Sequence, residues 1–331
     1  MADVQTSAHT DESAVRGLAA RAEQVDQVAP LDEATLLALR DGTDALHLTV
    51  RDGDRLVGYA QVRPDGAGRV AELVVDPEHR RRGIGTRLLR AAQTPADGRA
   101  EDARVTETTE DRRGPLEVWA HGDLPAARAR LAAVGARPVR ALWLLGRDLA
   151  DRPAPVPVPP GVRLRPFRVG QDEAAWLAVN ARAFATHPEQ GRTTLADLLV
   201  RQREPWFDPD GLILAVADAG TLLGSVWTKI APPPPRDEVP GQGRTYCFVP
   251  GPELRPSAPV GEIYVLGVDP CAQGTGLGRV LTGAGLDYLA GRGLGRVVLF
   301  VESDNDVALA TYMAAGFVRE AVHTRYRLPA G

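Results

Sequence analysis

At 331 residues, with 44% hydrophobic and 25% charged side chains, the chain has the composition of a globular protein and the length of about two domains. A net charge of −4 gives no electrostatic reason to expect a nucleic-acid partner, and no window of about 18 uninterrupted apolar residues offers a membrane-spanning helix. Two cysteines, Cys247 and Cys271, are too few for a disulfide framework or a four-cysteine zinc site, and no His, Cys and carboxylate cluster has ligand spacing, so no metal is expected.

The stretch from Met1 to Gln24 is polar and acidic, without the apolar core of a secretory signal, and the expected location is the cytoplasm. A strand-like segment, Leu56 to Val62, ends in a hairpin-like turn and is followed by a second strand, Val70 to Val75. Next come a glycine-containing turn, Arg80-Arg-Arg-Gly-Ile-Gly85, and an apolar helical stretch. A strand at Leu116 to Ala120, a helix and Gly135 complete this half. The run Pro153-Ala-Pro-Val-Pro-Val-Pro-Pro160 has few amide donors and reads as a semi-rigid extended linker. Beyond it lie a strand at Leu222 to Thr228 and a long surface loop, Pro232 to Pro259. They are followed by a strand at Glu262 to Val268, a turn Gln273-Gly-Thr-Gly-Leu-Gly278 and a helix from Arg279. A strand at Val297 to Glu302, a helix and Gly316 follow. Lys229, in this half, is the only lysine of the chain, the other strong bases being arginine.

The two halves are copies. Leu73-Val-Val-Asp-Pro-Glu-His-Arg-Arg-Arg-Gly-Ile-Gly-Thr-Arg-Leu-Leu returns without a gap as Leu266-Gly-Val-Asp-Pro-Cys-Ala-Gln-Gly-Thr-Gly-Leu-Gly-Arg-Val-Leu. A period of about half the chain is a tandem duplication of a whole domain. Strands followed by crossover helices predict an α/β fold with an α+β mixed sheet. The expected boundaries are a first domain at 1–150, a linker at 151–161 and a second domain at 162–331.

Glycines in such a turn permit positive φ and close approach of a ligand, and amides leading into a helix N-terminus form an anion site that suits pyrophosphate. The competing reading is a dinucleotide-binding fingerprint. It needs the motif in the first strand-to-helix turn and an acidic residue ending the next strand; here the motif follows several strands and sits late in its domain.

Val-Asp-Pro, then Gln or Arg before Gly-x-Gly, resembles motif A of the GNAT N-acetyltransferase superfamily. Asn305-x-x-Ala-x-x-x-Tyr312-x-x-x-Gly316-Phe317 resembles its motif B. The resemblance covers essentially the whole chain and implies tandem GNAT domains, acetyl-CoA as co-substrate and direct attack by an amine. It implies cofactor contacts in the second half at the strand residues Leu266, Gly267 and Val268. Further contacts are implied at the turn (Gln273, Gly274, Thr275, Gly276, Leu277, Gly278 and Arg279) and along motif B (Asn305, Asp306, Val307, Ala308, Leu309 and Ala310). In the first half the matching positions are Leu73, Val74 and Val75, then Arg81, Arg82, Gly83, Ile84, Gly85 and Thr86. Amides near Leu266 and Val268 would hold the pantetheine and polarise the thioester carbonyl.

In gapless register Glu262 stands opposite Arg69; with Gly316 on Gly135, Tyr312 stands opposite Leu131 and Asn305 opposite Leu124. Taken alone, Glu262 reads as a solvated strand residue and Tyr312 as a core aromatic. The resemblance makes them general base and general acid, so the first half is expected to be non-catalytic while keeping a cofactor turn. Neither cysteine is needed as a nucleophile.

The strings His187-Pro-Glu-Gln-Gly191, Trp206-Phe-Asp-Pro-Asp-Gly-Leu-Ile-Leu214, Trp227-Thr-Lys229, Glu262-Ile-Tyr-Val-Leu-Gly-Val-Asp-Pro270 and Phe300-Val-Glu-Ser-Asp-Asn305 resemble one tandem branch of the superfamily. That branch acetylates the cysteinyl amine of a cysteinyl-glucosaminyl-inositol pseudodisaccharide in actinobacteria. It implies substrate contacts at Glu33, Glu189, Lys229 and Glu262, with Phe300 where the branch is expected to carry a tyrosine. His187 reads as structural. The expected partner is this small-molecule amine, with neither nucleic acid nor membrane, and the expected state is a monomer. Two other readings stay open: a tandem GNAT enzyme acting on an aminoglycoside or an amino acid, and a non-catalytic acetyl-CoA-binding module.

Overall fold

The computed structural model describes residues 3–41, 45–94, 114–150, 155–185, 188–231 and 259–329. The long loop expected at Pro232 to Pro259 falls almost wholly outside the described residues, as do Cys247, His187 and the start of the proline-rich run; 155–158 is exposed chain without helix or strand. Two compact units emerge. One runs to Ala141 and takes up the chain again from Val322; the other lies between Leu142 and Ala321. No helix among the described residues is long and apolar enough to cross a membrane.

In the first unit, strands β1 (Gln5–Ser7), β2 (Leu46–Asp52), β3 (Arg55–Asp65) and β4 (Gly68–Val75) pair antiparallel in sequence order. β5 (Leu116–Ala120) then adds parallel to β4. Helices α1 (Glu12–Asp26) and α2 (Glu33–Asp41), with the segment between them, bring a core of Val15, Leu18, Leu31 and Leu36 onto the face that carries Tyr59 and Val74. α3 (Ile84–Gln93), with Leu88 and Leu89, covers the face that carries Val57, Ala60, Val62 and Ala71. The alternation of buried residues along β3 and β4 between two covered faces explains their nearly continuous apolar sequence. α4 (Pro125–Ala133) follows β5.

The second unit repeats this plan. β7 (Val162–Pro166), β8 (Leu212–Ala217), β9 (Leu222–Ala231) and β10 (Val260–Val268) pair antiparallel, and β11 (Arg296–Glu302) adds parallel to β10. α5 (Glu173–Ala183), the short α6 (Pro188–Gly191) and α7 (Leu195–Gln202) precede β8. Trp176, Val179 and Leu198 from α5 and α7 pack on the face bearing Leu214, Trp227 and Val265. α8 (Leu277–Gly291) packs Val280, Leu281 and Leu289 on the other face, against Val226 and Ile263, and α9 (Asp306–Ala314) follows β11. α8 begins two residues before the expected Arg279, because Gly276 at φ +85° already serves as its N-cap.

The strand that completes each sheet comes from the other half of the sequence. β6 (Arg137–Asp148) closes the first half, yet from Leu142 on it pairs with β11, from Glu302↔Leu142 to Arg296↔Asp148. β12 (Val318–Arg327) ends the chain and pairs with β5, from Thr324↔Ala120 to Arg327↔Glu117.

Candidate active site

The repeated Val-Asp-Pro has a local physical reason. Asp269 caps a one-turn helix by accepting from Cys271 N–H (3.0 Å), and Arg182 Nε of α5 donates to its other oxygen (2.8 Å). Asp76 does the same in the first unit, accepting from Glu78 N–H (3.1 Å) and from Arg21 Nε of α1 (2.9 Å). Each aspartate ties the turn to the helix that opens its unit. Asp76, Glu78 and His79 are also the one cluster of this kind among the described residues that could surround a cation, and Arg21 and Arg55 already engage the Asp76 oxygen.

After that cap the backbone forms a nest. Gly274 and Gly276 take φ of +77° and +85°, and a Cβ on either would meet nothing within 4 Å. Conformation rather than space calls for glycine there. The exposed turn leads into α8, whose N-cap offers no side chain to the first amides, leaving donors and the positive end of the helix dipole for an anion. The first unit builds the same nest with Arg81 at φ +61° and Gly83 at +81°, before an equally uncapped α3.

Beside each nest the parallel pair splays. β10 pairs with β11 only from Gly261↔Val297 to Ile263↔Leu299 although β10 continues to Val268; β4 pairs with β5 only from Arg69↔Leu116 to Ala71↔Val118. Asp269 N–H donates to Leu223 O on the β9 side (2.8 Å), so backbone alternation turns the amides of Val268 and Leu266 to the opposite edge, where β11 has left. The same alternation from Asp76 N–H to Val57 O frees the edge at Val75 and Leu73.

A β-bulge at Tyr264 distinguishes the second unit: Ile263 faces Thr228 and Val265 faces Trp227, with Tyr264 extra. That residue shifts the internal alignment. The ladder position of Glu262 in the first unit is Val70, not Arg69, since Arg69↔Leu116 matches Gly261↔Val297. Gapless pairing of the sequences missed this because a bulge leaves the repeat motif downstream untouched. Either way the first unit has no carboxylate at that place.

Glu262 is directly opposite Lys229 across the ladder, so both side chains rise from one face of the sheet; Glu262 also faces Val298, which puts Phe300, two residues on, on the same face. Glu262 is 8% exposed and Lys229 2%. The ammonium sits 4.5 Å from the Trp206 ring and 5.3 Å from Tyr264, whose hydroxyl accepts from Arg201 Nε (2.8 Å). Trp206 and Tyr264 also pack on Trp227, itself edge-on to Trp176. A buried cation beside a carboxylate and two ring faces is electrostatically compensated. Trp206, Tyr264 and Arg201 were not expected as site residues. The tryptophan string carries a signal, while the wall it forms depends on the bulge and on α7.

Asn305 caps α9 by accepting from Ala308 N–H (3.1 Å), and Leu124 caps α4 at the corresponding place without a side-chain bond. Of the motif B residues, Asp306, Val307 and Ala310 are exposed while Leu309 packs into the core. Tyr312 is 7% exposed, its ring 5.9 Å from Phe317, and burial pushes its phenol well above the usual value. Glu33 opens α2 in the first unit; Glu189 lies in α6, its side chain outside what is described. Cys271 is exposed in the turn.

The sequence profile of the acetyltransferase (GNAT) family matches residues 14–120 and 176–317. Curated relatives include the mycothiol acetyltransferases of Thermomonospora curvata, 48% identical over 320 residues (96% of this chain, 93% of the relative), and of Sanguibacter keddieii, 48% over 338 residues (99% and 96%). Among solved structures, a GCN5-related N-acetyltransferase from Sphaerobacter thermophilus superposes with a TM-score of 0.63 at 22% identity, covering 99% of this chain and 97% of that one. A tandem GNAT protein from the clavulanic acid biosynthesis pathway gives 0.65 at 22% identity, covering 99% of each; these two carry the fold alone. The chain is an N-acetyltransferase that belongs to the acetyltransferase (GNAT) family and, within it, to the family of its mycothiol acetyltransferase relatives.

Proposed function

We propose that the second unit transfers an acetyl group from acetyl-CoA to the cysteinyl amine of cysteinyl-glucosaminyl-inositol, giving mycothiol and CoA. The observation that carries this reading is the carboxylate of Glu262, buried beside Lys229 next to the splay, where the first unit has only Val70. Acetyl-CoA, when bound, supplies the activated acetyl group. The nest at Gln273 to Gly278 and the uncapped start of α8 suit its pyrophosphate, and the amides of Leu266 and Val268 are aimed at the splay edge, where they can donate to a carbonyl.

A cysteinyl α-amine has an unperturbed pKa of about 8, so only mild help is needed to remove its proton. Glu262 accepts that proton, directly or through water, and Tyr312, kept protonated by burial, donates to the departing sulfur. Lys229 and Glu189 are assigned to the acceptor's polar groups; Phe300 offers a ring and no hydroxyl. A cation at the heart of the acceptor face disfavours polycationic aminoglycosides, and the first unit retains a nest for acetyl-CoA without the catalytic groups.

Acetyl transfer by the full chain to cysteinyl-glucosaminyl-inositol, beside a panel of aminoglycosides and amino acids, tests the substrate. Preferential mass gain of one acetyl on the cysteinyl amine is expected, and turnover on another amine alone would overturn it. Glu262→Gln is expected to lower kcat by roughly 100-fold or more, in the range for a general base, and to leave acetyl-CoA binding intact. Unchanged turnover would remove the base assignment.

A further inference from the structure

The C-terminal end of α9, which carries Tyr312, is held by a residue from the first half of the sequence. Gly316 closes the helix at φ +84°, its N–H donating to Met313 O (3.0 Å) and Phe317 N–H to Tyr312 O (3.1 Å). The Ala315 carbonyl accepts from Nη1 of Arg147, a β6 residue 7% exposed that faces Val297, while its Nε donates to Asp148 O (3.0 Å). A guanidinium there meets the negative end of the helix dipole through a charge-assisted bond.

The first unit is an internal control. α4 ends alike, with Gly135 at φ +75° and Ala136 N–H donating to Leu131 O (3.0 Å). The place corresponding to Arg147 is held by Leu328, whose N–H donates to Leu116 O (2.9 Å), and Leu328 shares a core cluster with Leu131. Helix and completing strand therefore change together: Leu131 with Leu328 in one unit, Tyr312 with Arg147 in the other. Packing alone is served by leucine, and burying a guanidinium carries a desolvation cost.

We propose that Arg147 is a positioning residue for the acetyl transfer, anchoring the last turn of α9 so that the Tyr312 hydroxyl is held in one place. This rests on the reading of Tyr312 as proton donor. The test uses the full chain with acetyl-CoA and cysteinyl-glucosaminyl-inositol, comparing Arg147→Leu, Arg147→Lys, Tyr312→Phe and the Arg147→Leu/Tyr312→Phe double variant. Arg147→Leu should leave both KM values within about threefold and lower kcat by roughly 10-fold to 100-fold, up to the low end of the roughly 100-fold to 10,000-fold contribution of a positioned acid–base group, because the group is loosened and not removed. Arg147→Lys should recover part of that loss, and the double variant should be no slower than Tyr312→Phe. Full kcat in Arg147→Leu, or losses that multiply in the double variant, would overturn the proposal. An unchanged kcat in Tyr312→Phe would instead remove the donor reading. Independently of turnover, the Tyr312 13Cζ resonance of 13C-tyrosine-labelled protein should broaden or split in Arg147→Leu and sharpen again in Arg147→Lys; an unaltered signal would refute the anchoring.

Discussion

His121 and His323 share a 3.0 Å contact between their Nδ1 atoms in the first unit, and His121 Nε2 lies 2.9 Å from the buried Glu72 carboxylate. The two rings are driven apart in charge. Burial alone would depress His121, but the charge and hydrogen bond of Glu72 raise it above its ordinary value. Burial, then the neighbouring His121 charge, depress His323 to about 3. A histidine depressed in the fold takes up its proton first in the unfolded chain. The stability it contributes is therefore complete above about pH 6.5 and is lost as pH falls toward 3, at up to about 1.4 kcal/mol per pH unit. His121 works with the opposite sign, losing its contribution as pH rises through its raised value. Urea unfolding near pH 7 and near pH 5 should show a smaller acid loss for His323→Gln than for the parent chain. Equal losses would mean that His323 is protonated in the folded protein.

At the scale of elements, the informative comparison is between one turn and its copy. Both units place left-handed backbone at the same two steps before a helix, although one uses Arg81 where the other uses Gly274. The conformation, rather than the glycine count, is what the fold retains. Gly276→Ala meets no atom within 4 Å, so its effect isolates the backbone: at φ +85° it should cost roughly 1 kcal/mol. A lower Tm together with a raised KM for acetyl-CoA and an unchanged kcat is expected. An acetyl-CoA KM equal to the parent's would separate the nest from cofactor binding. On the neighbouring strand, the single extra residue at Tyr264 sets Glu262 and Lys229 side by side and brings the Tyr264 ring to the ammonium.

Over the whole molecule, each compact unit needs a strand that the linear halves assign to the other. The second unit takes residues 142–148 through seven consecutive partners on β11, and the first takes 324–327 beside β5. A fragment spanning 162–331 would leave the β11 edge bare, lose the Arg147 anchor and carry a β12 without its partner, an exposed edge prone to association. It should give no cooperative thermal transition and no acetyl-CoA binding by calorimetry, whereas the full chain gives both. A folded, acetyl-CoA-binding fragment would make β6 dispensable.

The duplication, the mixed sheet and the nest were legible in the sequence, because each is a local pattern of strands, turns and glycines, whereas Val-Asp-Pro was legible as a repeated string and its aspartate as a cap only in the structure. Glu262 and Tyr312 could be singled out by their residue type against the copy, and Lys229 as the only lysine of the chain. Their setting could not. A bulge changes ladder register without marking the sequence, so Val70 rather than Arg69 proved to be the counterpart of Glu262. The ring wall around Lys229 joins Trp206 and Tyr264 from distant segments, and Arg147 reaches Ala315 across 168 positions of chain. The repeated unit follows from local backbone preference and hydrophobic periodicity, which act over a few residues and so are written in the chain. Which strand completes each sheet, and what surrounds the carboxylate, follow from pairing and burial between segments far apart in sequence, which no local pattern specifies.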